Sequence, residues 1–547
     1  MSCFQHVIRR TAVASLALAI GSTLFSGFAA LAQTSPAPVF NLRLQSERST
    51  AKLHHPERGS VKLEELRSLG AGRPNLPLNR YLSIFVSDVE TTSQIKFSEV
   101  MEQLANQSGD ALLTKEILFH QWWDSAGQRP GQALGPHCDD ESAATGDVAG
   151  FNALSTLNGF PYRCPRLEVA EATSDPFTNE VDSNPNAYTA ITFSNRFDLV
   201  DDAKNPTDCG EYRIVFARNS GKLDPLNRNL IIFEGRVPNP KPADGLQGCR
   251  PILDFWHGLS DPSISAADRG VKLHDFYLKG LPGVPAIVNI DHYTFGTGQI
   301  RTNQFMLNDP DPRLPRAPFN WTLREFKTYR TNGTLVIVPD SVKTNPGNAL
   351  FAAGSTDVRL PSLSQDVRTQ LKNILGGAGP ANGVDDVNSI GFQIKGHGIN
   401  AFESDERDAN LGDVVAAYAP GGAENLLLKT NIQAVLGLAH STLTPLNVVS
   451  RLRTQTCAGC HHYSDNDHGL GGKAIWPNKS AGDASHPAMA FTQESERNAD
   501  LQPAIVGNGK RYAISLTTEC LLDFREVFMK TALGLTPATS ANHCPTQ

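Results

Sequence analysis

Six short apolar segments in the middle of the chain restrict its possible folds more than any other feature. They are rich in β-branched and aromatic residues, and Gly, Pro, Asn and Asp separate them, which is typical of β-strands. No regular helix is expected between them, so βαβ units are disfavoured and an antiparallel sandwich or barrel is favoured. The expected strands cover residues 190–193, 212–216, 230–233, 252–256, 286–290 and 335–338.

Helical patterns flank this β-rich region on both sides. Residues 97–104 place apolar side chains at helical spacing, with Ser98 as the expected N-cap and Gly109 as the stop, and another helix is expected from Thr114. Further helices are expected from Ser364 to Gly376 and Gly377, over residues 431–439, from Thr444 through Leu452, and over residues 516–533.

These patterns predict an α+β protein with an N-terminal helical or mixed segment, a central antiparallel β-rich sandwich or barrel, and a C-terminal helical module. The predicted parts are a signal peptide over 1–32, a mobile leader over 33–80, a mixed α/β segment over 81–180, a β-rich domain over 181–360 and a helical region over 361–547.

The N-terminus has the three parts of a secretory signal peptide. Arg9 and Arg10 supply a positive region, an apolar run extends from Ala12 to Leu31, and small residues precede a cleavage site near Ala32. A membrane anchor is the alternative, but Gly, Ser and Thr interrupt the run. The sequence therefore predicts export, with a periplasmic or secreted mature chain.

Charge and hydropathy narrow the range of partners. The 547-residue chain has a net charge of −7, whereas a nucleic-acid partner favours a basic surface. No stretch after the signal peptide approaches the ~20 apolar residues that a membrane helix requires. We therefore expect no nucleic acid and no membrane span after signal removal.

Cysteine usage agrees with export. Of the nine cysteines, Cys3 lies in the signal peptide, and Cys457 and Cys460 belong to a separate motif, so six remain. An even remainder in an oxidising compartment predicts three disulfides, although the sequence does not define their connectivity. Because neighbours in sequence close the shortest loops, the expected pairs are Cys138–Cys164, Cys209–Cys249 and Cys520–Cys544.

Residues 457–461, Cys-Ala-Gly-Cys-His, match the attachment pattern of a covalent c-type haem. Both thiols must reach the two vinyl groups of one porphyrin, and the next residue must turn its imidazole onto the iron. This motif and its flanking helices resemble c-type cytochromes. The resemblance implies a cytochrome-c-like C-terminal module with one haem c, thioether bonds at Cys457 and Cys460, and His461 as the proximal iron ligand.

The sequence leaves the second axial ligand open. Small c-type cytochromes commonly use a downstream methionine, which raises the reduction potential. Met489 lies in a loop-like stretch and is the leading candidate, with His468 and His486 as rivals. An open iron site that permits peroxide or O₂ chemistry is a further alternative.

Two other interpretations use the same residues. Cys457 and Cys460, with His461 or His462 and with His468, match a Cys₂His₂ zinc set, which needs no attachment machinery. A plain disulfide between the two cysteines is less favoured, because a thioredoxin-like motif belongs to a βαβ setting after a strand, and here a helix is expected to precede it.

Two groups of residues in the β-rich region are also candidate sites. Residues 195–198, Asn-Arg-Phe-Asp, with Asp208, Glu211 and Arg213, form either a charged binding cluster or, as we favour, ion pairs at sheet edges. The second group is a His- and Asp-rich stretch in which any two residues could form an acid/base pair: Asp254, His257, His274, Asp291 and His292.

Most of the mature chain also resembles a group of secreted bacterial proteins that carry a single haem-type motif near the C-terminus. That resemblance brings no known activity or substrate. The stretches that carry it are 119–124, 160–165, 195–198, 209–216 and 457–461.

The favoured function is an exported haem-c protein with an electron-transfer or redox role and a redox partner protein. If the protein is an enzyme, an oxidoreductase is favoured. One alternative is a secreted, non-catalytic binding or cell-surface protein with structural zinc or a disulfide at 457–462. The other is a secreted hydrolase, although the sequence has neither a G-x-S-x-G elbow nor an H-E-x-x-H helix.

Overall fold

The computed structural model of the protein describes residues 78–123, 156–157, 160–161, 175–181, 183–200, 206–223, 229–307, 319–331, 333–340, 342–343, 351–370, 374–375, 400–401, 403–405, 418, 424–453, 505–506, 509–510 and 516–535. The strands are β1 (Phe85–Val86), β2 (Thr156–Leu157), β3 (Phe160–Pro161), β4 (Tyr188–Arg196), β5 (Asp208–Arg218), β6 (Asn229–Pro238), β7 (Gln299–Leu307), β8 (Phe319–Thr331), β9 (Thr334–Asp340), β10 (Val342–Lys343), β11 (Asn400–Ala401), β12 (Glu403–Asp405), β13 (Ile505–Val506) and β14 (Gly509–Lys510). The helices are α1 (Arg80–Ser83), α2 (Val89–Thr92), α3 (Phe97–Gln107), α4 (Lys115–Trp123), α5 (Ser220–Leu223), α6 (Arg250–Gly258), α7 (Ala266–Leu278), α8 (Leu360–Thr369), α9 (Leu426–Leu438), α10 (Pro445–Arg453) and α11 (Leu516–Ala532).

Eight of these strands form one antiparallel sheet. Its order is β1, β4, β5, β6, β7, β8, and the outer edge of β8 pairs with β12 along one part and with β9 along another. Four predicted strands are present as β4, β5, β6 and β9, and the α+β class is confirmed. Strands β7 and β8 were not predicted, because polar residues interrupt the apolar runs that indicate buried strands.

The prediction of a strand over residues 252–256 is wrong, because this segment lies in α6. Trp256 lies four positions after Ile252 and three after Leu253, so it shares a helical face with both, and all three are buried. Pro251 occupies the first turn, where its missing N–H costs no hydrogen bond. A short apolar run does not by itself distinguish a strand from a buried helix.

Residues 286–290 do not form the predicted strand either. The Val288 N–H donates to the carbonyl of Tyr277 at 2.8 Å, and the segment leads into a 3₁₀ turn over Ile290–His292. Helices α6 and α7 both lie between β6 and β7 in the chain, so the expectation that no helix interrupts the strands is also wrong.

The main hydrophobic core lies between helices and one face of the sheet. Phe97 of α3 packs against Phe216 of β5 and Phe233 of β6, with ring centroids 5.2 Å and 6.4 Å away. Trp122 of α4 is buried in this core, and the side chain of Trp123 lies outside the described residues. Helices α6, α7 and α11 also contribute, so the sheet's apolar face is covered by helices.

The predicted helix boundaries are partly confirmed. Gly109 has a φ of +79°, the left-handed conformation that ends a helix, so this stop is confirmed. Ser98 is not an N-cap, because it lies inside α3, where its backbone N–H donates to Glu180 at 2.8 Å. Ser364 likewise lies inside α8, whereas Thr444 precedes α10 and accepts from a backbone N–H of its first turn.

A second, smaller core joins α8, α9 and α10. Buried residues from each helix meet there, including Leu363, Ile432 and Val448. Helix α11, which is also in the predicted C-terminal helical region, packs instead with the main core. Its Phe528 ring lies 5.7 Å from that of Phe197, directly after β4.

One expected disulfide is present. Cys209, near the start of β5, is bonded to Cys249 with an S–S distance of 2.01 Å, and both residues are buried. The other two expected pairs lie outside the side chains that the structure describes, as do the predicted signal peptide and the leader up to residue 77. The last residues of the predicted leader belong to the fold, since Leu78 is buried.

Candidate functional site

The face of the sheet opposite the helices is partly apolar and partly charged. Side chains alternate between the two faces of a strand. Strand β5 therefore directs Tyr212 and Ile214 towards the helices and Glu211 and Arg213 towards the other face. The apolar part of this second face is formed by Ile191, Val215, Ala217, Leu230 and Ile232.

The charged part of this face is built by four neighbouring strands. Their antiparallel register places Arg213 opposite Glu234, Glu234 opposite Gln299, and Arg301 opposite Glu325. We name the set the charged array, and its members are Glu211 and Arg213 on β5, Glu234 on β6, Gln299 and Arg301 on β7, and Glu325 and Lys327 on β8.

Acidic and basic side chains alternate along the array, beginning on β5. The Nε of Arg213 donates to Oε1 of Glu211 at 2.6 Å. The same guanidinium places Nη1 at 3.2 Å from Oε1 of Glu234 on the next strand. Arg213 is therefore shared by two carboxylates.

The alternation continues across β7 and β8. Arg301 places Nη1 at 3.1 Å from Oε2 of Glu234 and donates from Nη2 to Oε2 of Glu325 at 2.8 Å. Lys327 ends the series, with Nζ 2.9 Å from Oε1 of Glu325. Three carboxylates thus meet three cations, and two of those cations are shared.

Gln299 bridges the two carboxylates at the β5 end of the array. Its Nε2 donates to Oε2 of Glu211 at 3.1 Å and also to Oε2 of Glu234, while its Oε1 faces Nζ of Lys327 at 3.4 Å. The reverse orientation would turn the amide oxygen towards two carboxylates and the amide nitrogen towards an ammonium group. Charge complementarity therefore defines the orientation of this amide.

The carboxylates of the array are almost completely removed from solvent. Glu234 and Glu325 each expose 1% of their surface, whereas the side chains of Arg213 and Arg301 keep 13% and 15%. An ionised carboxylate in such surroundings is costly unless cations and hydrogen bonds compensate it. Solvent reaches the array at its arginines and not at its acids.

Burial and neighbouring charges act differently on the three carboxylates. For Glu234, burial raises the pKa more than Arg213 and Arg301 lower it, and repulsion by Glu211 adds to the rise. Burial also raises the pKa of Glu211, but the surrounding arginines, led by Arg213, outweigh it and lower that pKa to about 2.

At the other end of the array, burial of Glu325 is likewise outweighed. Lys327 and Arg301 together lower its pKa below the ordinary value. Glu234 is therefore the member of the array with the greatest tendency to accept a proton, whereas Glu211 and Glu325 hold their negative charge.

Two ion pairs flank the array. Arg236 contacts Asp208 at 3.1 Å, and Arg196 contacts Asp198 at 2.8 Å. The ion-pair interpretation of residues 195–213 is thus confirmed, but its location is not, since β5 and β6 are interior strands and not edges.

Sequence reasoning missed the members of the array on β6, β7 and β8. A signal for them exists, because each strand carries polar residues two positions apart: Glu211 and Arg213, Glu234 and Arg236, Gln299 and Arg301, Glu325 and Lys327. Such spacing places both residues of a strand on one face of a sheet.

The His- and Asp-rich stretch is distributed over separate elements. Asp254 pairs with Arg250 one helical turn earlier on α6, and His257 is buried on the same helix. On α7, His274 contacts Glu99 at 3.4 Å and Asp275 at 3.2 Å. The last two residues of the stretch, Asp291 and His292, lie in the 3₁₀ turn before β7.

His292 is held by backbone rather than by a carboxylate. Its Nδ1 lies 3.1 Å from the carbonyl oxygen of Ile287, and burial lowers its pKa. The hydrogen bond to a carbonyl gives this imidazole a structural role within the turn.

The predicted haem residues Cys457, Cys460 and His461 lie outside the described residues, as do Met489, His468 and His486. Helix α10 is described and ends at Arg453, shortly before the motif. Among the residues that the structure describes, no group of three or more His, Cys, Asp or Glu residues is arranged to hold a metal ion.

Among the described residues, none of the helices has both the length and the apolar character needed to cross a membrane.

Comparisons with known proteins returned no matching family model, no matching curated protein and no matching solved structure.

Proposed function

We propose that the protein is exported and carries one covalent haem c, with an electron-transfer or redox role. The observation that carries this proposal is the Cys-x-x-Cys-His spacing at residues 457–461. A bound haem supplies a one-electron redox centre at this position. Cys457 and Cys460 would hold the haem through thioethers, and His461 would bind its iron.

Three further features support the proposal. The N-terminal sequence has the parts of a signal peptide, and haem attachment in bacteria takes place after export. The buried Cys209–Cys249 disulfide is consistent with export, because disulfides form and persist in oxidising compartments. Helix α10 precedes the motif in the sequence, as a helix does in the cytochrome-c-like module that we propose for the C-terminal region.

A redox protein also needs an electron donor or acceptor. We therefore propose a partner redox protein in the periplasm or outside the cell. The β-sheet and its helices form the larger, separate core, and this part of the molecule is the proposed platform for a substrate or partner.

The test is expression of the full chain together with haem-attachment machinery, followed by a pyridine haemochrome spectrum of the denatured protein. We expect the spectrum of a covalent c-type haem at one haem per chain. The matched control is the Cys457→Ser/Cys460→Ser double variant, which should lose covalent haem while keeping the fold around the Cys209–Cys249 disulfide.

A colourless wild-type protein would overturn the proposal. One zinc per chain by elemental analysis would then favour the structural zinc alternative, and the absence of both zinc and free thiols at 457 and 460 would favour a disulfide. Turnover in a hydrolase substrate screen that survives Cys457→Ser but falls on His292→Ala would favour the hydrolase alternative.

A further inference from the structure

Two acidic side chains on neighbouring strands share one amide group in the interior of the sheet. Gln299 Nε2 lies 3.1 Å from Oε2 of Glu211 and also donates to Oε2 of Glu234. Two carboxylate oxygens on one nitrogen are held close together, and both acids are removed from solvent. Like charges at such separation in a low-dielectric interior do not ionise independently.

The cations of the array are not divided equally among the three acids. Within the array, Lys327 contacts the carboxylate of Glu325 alone, and Arg213 lies closer to Glu211, at 2.6 Å, than to Glu234, at 3.2 Å. Among the described residues, the cations that contact Glu234 are Arg213 and Arg301, and each of these also binds a second carboxylate. Glu211 contacts Arg213, and the strand register also places Arg196 of β4 and Arg236 of β6 directly opposite it, so Glu211 is surrounded by arginines from three strands.

We propose that Glu211 and Glu234 form a proton-binding pair, in which Glu234 takes up one proton from mildly acidic solution while Glu211 stays ionised. The site's ligand is the proton itself. Solvent supplies this proton, and it reaches the array where the side chains of Arg213 and Arg301 are partly exposed. Uptake changes the array from three acids balanced by three cations to a net charge of one positive.

Charged groups face Glu234 from every strand packed around it. Glu211 and Arg213 lie on β5, Arg301 on β7, and Glu325 and Lys327 follow on β8, with Arg236 on the same strand as Glu234. Arg196 and Arg236, which lie outside the array, lower the pKa of Glu211 in addition to Arg213 and Arg301. They therefore favour the ionised form of this acid. The asymmetry between the two acids thus follows from their positions in the sheet.

Electrostatics agree with this asymmetry. Burial raises the pKa of Glu234, whereas the arginines around Glu211 lower its pKa. Proteins hold one proton between two carboxyl groups by raising the pKa of one acid and lowering the pKa of the other. The proposal does not depend on haem, so it stands or falls separately from the proposed redox function.

The test is infrared difference spectroscopy of the full chain as a function of pH, which detects the C=O stretch of a protonated buried carboxyl group. Wild type should develop this band as the pH falls from 7 towards the ordinary glutamate range, and Glu234→Gln should lack the part of the band that Glu234 contributes. Glu180→Gln is the control, because burial raises the pKa of Glu180 as it does that of Glu234, but Glu180 binds Ser98 and lies outside the array.

A second variant keeps the test decisive if Glu234→Gln does not fold. Glu211→Gln removes the neighbouring negative charge, so the midpoint of the band should move down by about one pH unit. A band of undiminished size in Glu234→Gln, or a midpoint that does not move in Glu211→Gln, would overturn the proposal. Loss of the band in Glu180→Gln alone would assign the proton to Glu180 and would overturn it as well.

Discussion

Buried charges at the centre of the sheet raise the question of why apolar residues do not occupy these positions. On the same face, a few residues away, Val215 and Ile232 show that the sheet accommodates an apolar surface. A buried ion array gains little over apolar packing, because desolvation of the ions offsets their attraction. The ion pairs of the array fix the orientation of each of its side chains, and the array provides the proposed proton-binding site at Glu234.

Lys327→Met tests how strongly the array depends on each cation. The variant keeps the apolar stem of Lys327, but it leaves Arg301 as the one cation on Glu325 among the described residues. It also removes the contacts of Nζ with the Gly298 carbonyl and with Oε1 of Gln299. We expect a loss of about 3 kcal/mol in the free energy of unfolding, because an uncompensated charge remains buried. Urea unfolding at pH 7 measures it.

Lys279→Met is the matched control for this variant. Lys279 is exposed and pairs with Asp275 one helical turn away, so its loss should change the free energy of unfolding by less than about 0.5 kcal/mol. Equal losses in the two variants would contradict an energetic role specific to the array.

The free energy of unfolding should depend on pH in two opposite ways. The folded pKa of Glu234 is raised, so the folded state binds the proton more tightly, and stability rises as the pH falls from that pKa towards 4.5. The pKa values of Glu211 and Glu325 are lowered, so the stability that they contribute is lost as the pH falls below 4.5, towards about 2 for Glu211.

Comparison of wild type with Glu234→Gln isolates the first effect. As the pH falls from 7 to 4.5, wild type should gain stability relative to the variant by up to about 1.4 kcal/mol per pH unit, the value for one proton. Urea unfolding at a series of pH values measures it. Parallel curves for the two proteins would show that Glu234 has the same pKa folded and unfolded.

Among the elements, α11 is positioned by both apolar and polar contacts near the end of β4. Phe528 packs edge-on against Phe197, and Arg525 donates from Nη1 to the hydroxyl of Ser194 at 3.4 Å. Helix α11, the last described element, therefore closes the main core rather than extending the second one. Its amphipathic pattern predicts a helix, and it does not indicate which core the helix joins.

Phe528→Ala should destabilise the protein by about 3–4 kcal/mol, because it opens a cavity between α11 and the residues after β4. Thermal and urea unfolding of the full chain measure the loss. Leu426→Ala on α9 is the matched control, since Leu426 is 75% exposed and its truncation should cost less than about 0.5 kcal/mol. A small loss in Phe528→Ala would mean that α11 is not part of the cooperative core.

The molecule as a whole combines a large sheet-and-helix core with a smaller helical core. The main core takes residues from α3 and α4, from the sheet, and from α11, which are widely separated in the chain. The proposed haem motif follows α10 of the second core. The proposed redox centre and the charged array thus belong to different parts of the sequence, and their tests are independent.

In the holoprotein, Met489→Ala tests the second axial ligand. If Met489 binds the iron, the variant should lose the weak absorption band of iron–methionine ligation, and its reduction potential should fall. Optical spectra and a redox titration measure both. The matched control is Met529→Ala, because Met529 is buried in α11 and is expected to pack rather than ligate. An unchanged Met489→Ala spectrum would favour His468, His486 or an open site.

Sequence patterns predicted much of the local structure. The strands β4, β5, β6 and β9 and the helices α3, α4, α9, α10 and α11 were expected, because their apolar spacing and flanking residues define them locally. The same reasoning failed for α6, since a compact apolar run fits a strand and a buried helix equally well, and it missed β7 and β8 because of their polar residues.

By itself, the sequence indicated the α+β class, four strands of the main sheet, five helices and the haem-type motif that the function proposal uses, and it made Cys209–Cys249 an expected pair without defining the connectivity. Only the tertiary structure decided that the charged residues of β5 to β8 meet in one buried array. The reason is physical: strand register and order bring Glu211, Glu234 and Gln299 together across separations of 23 to 88 residues, and no local pattern encodes that order.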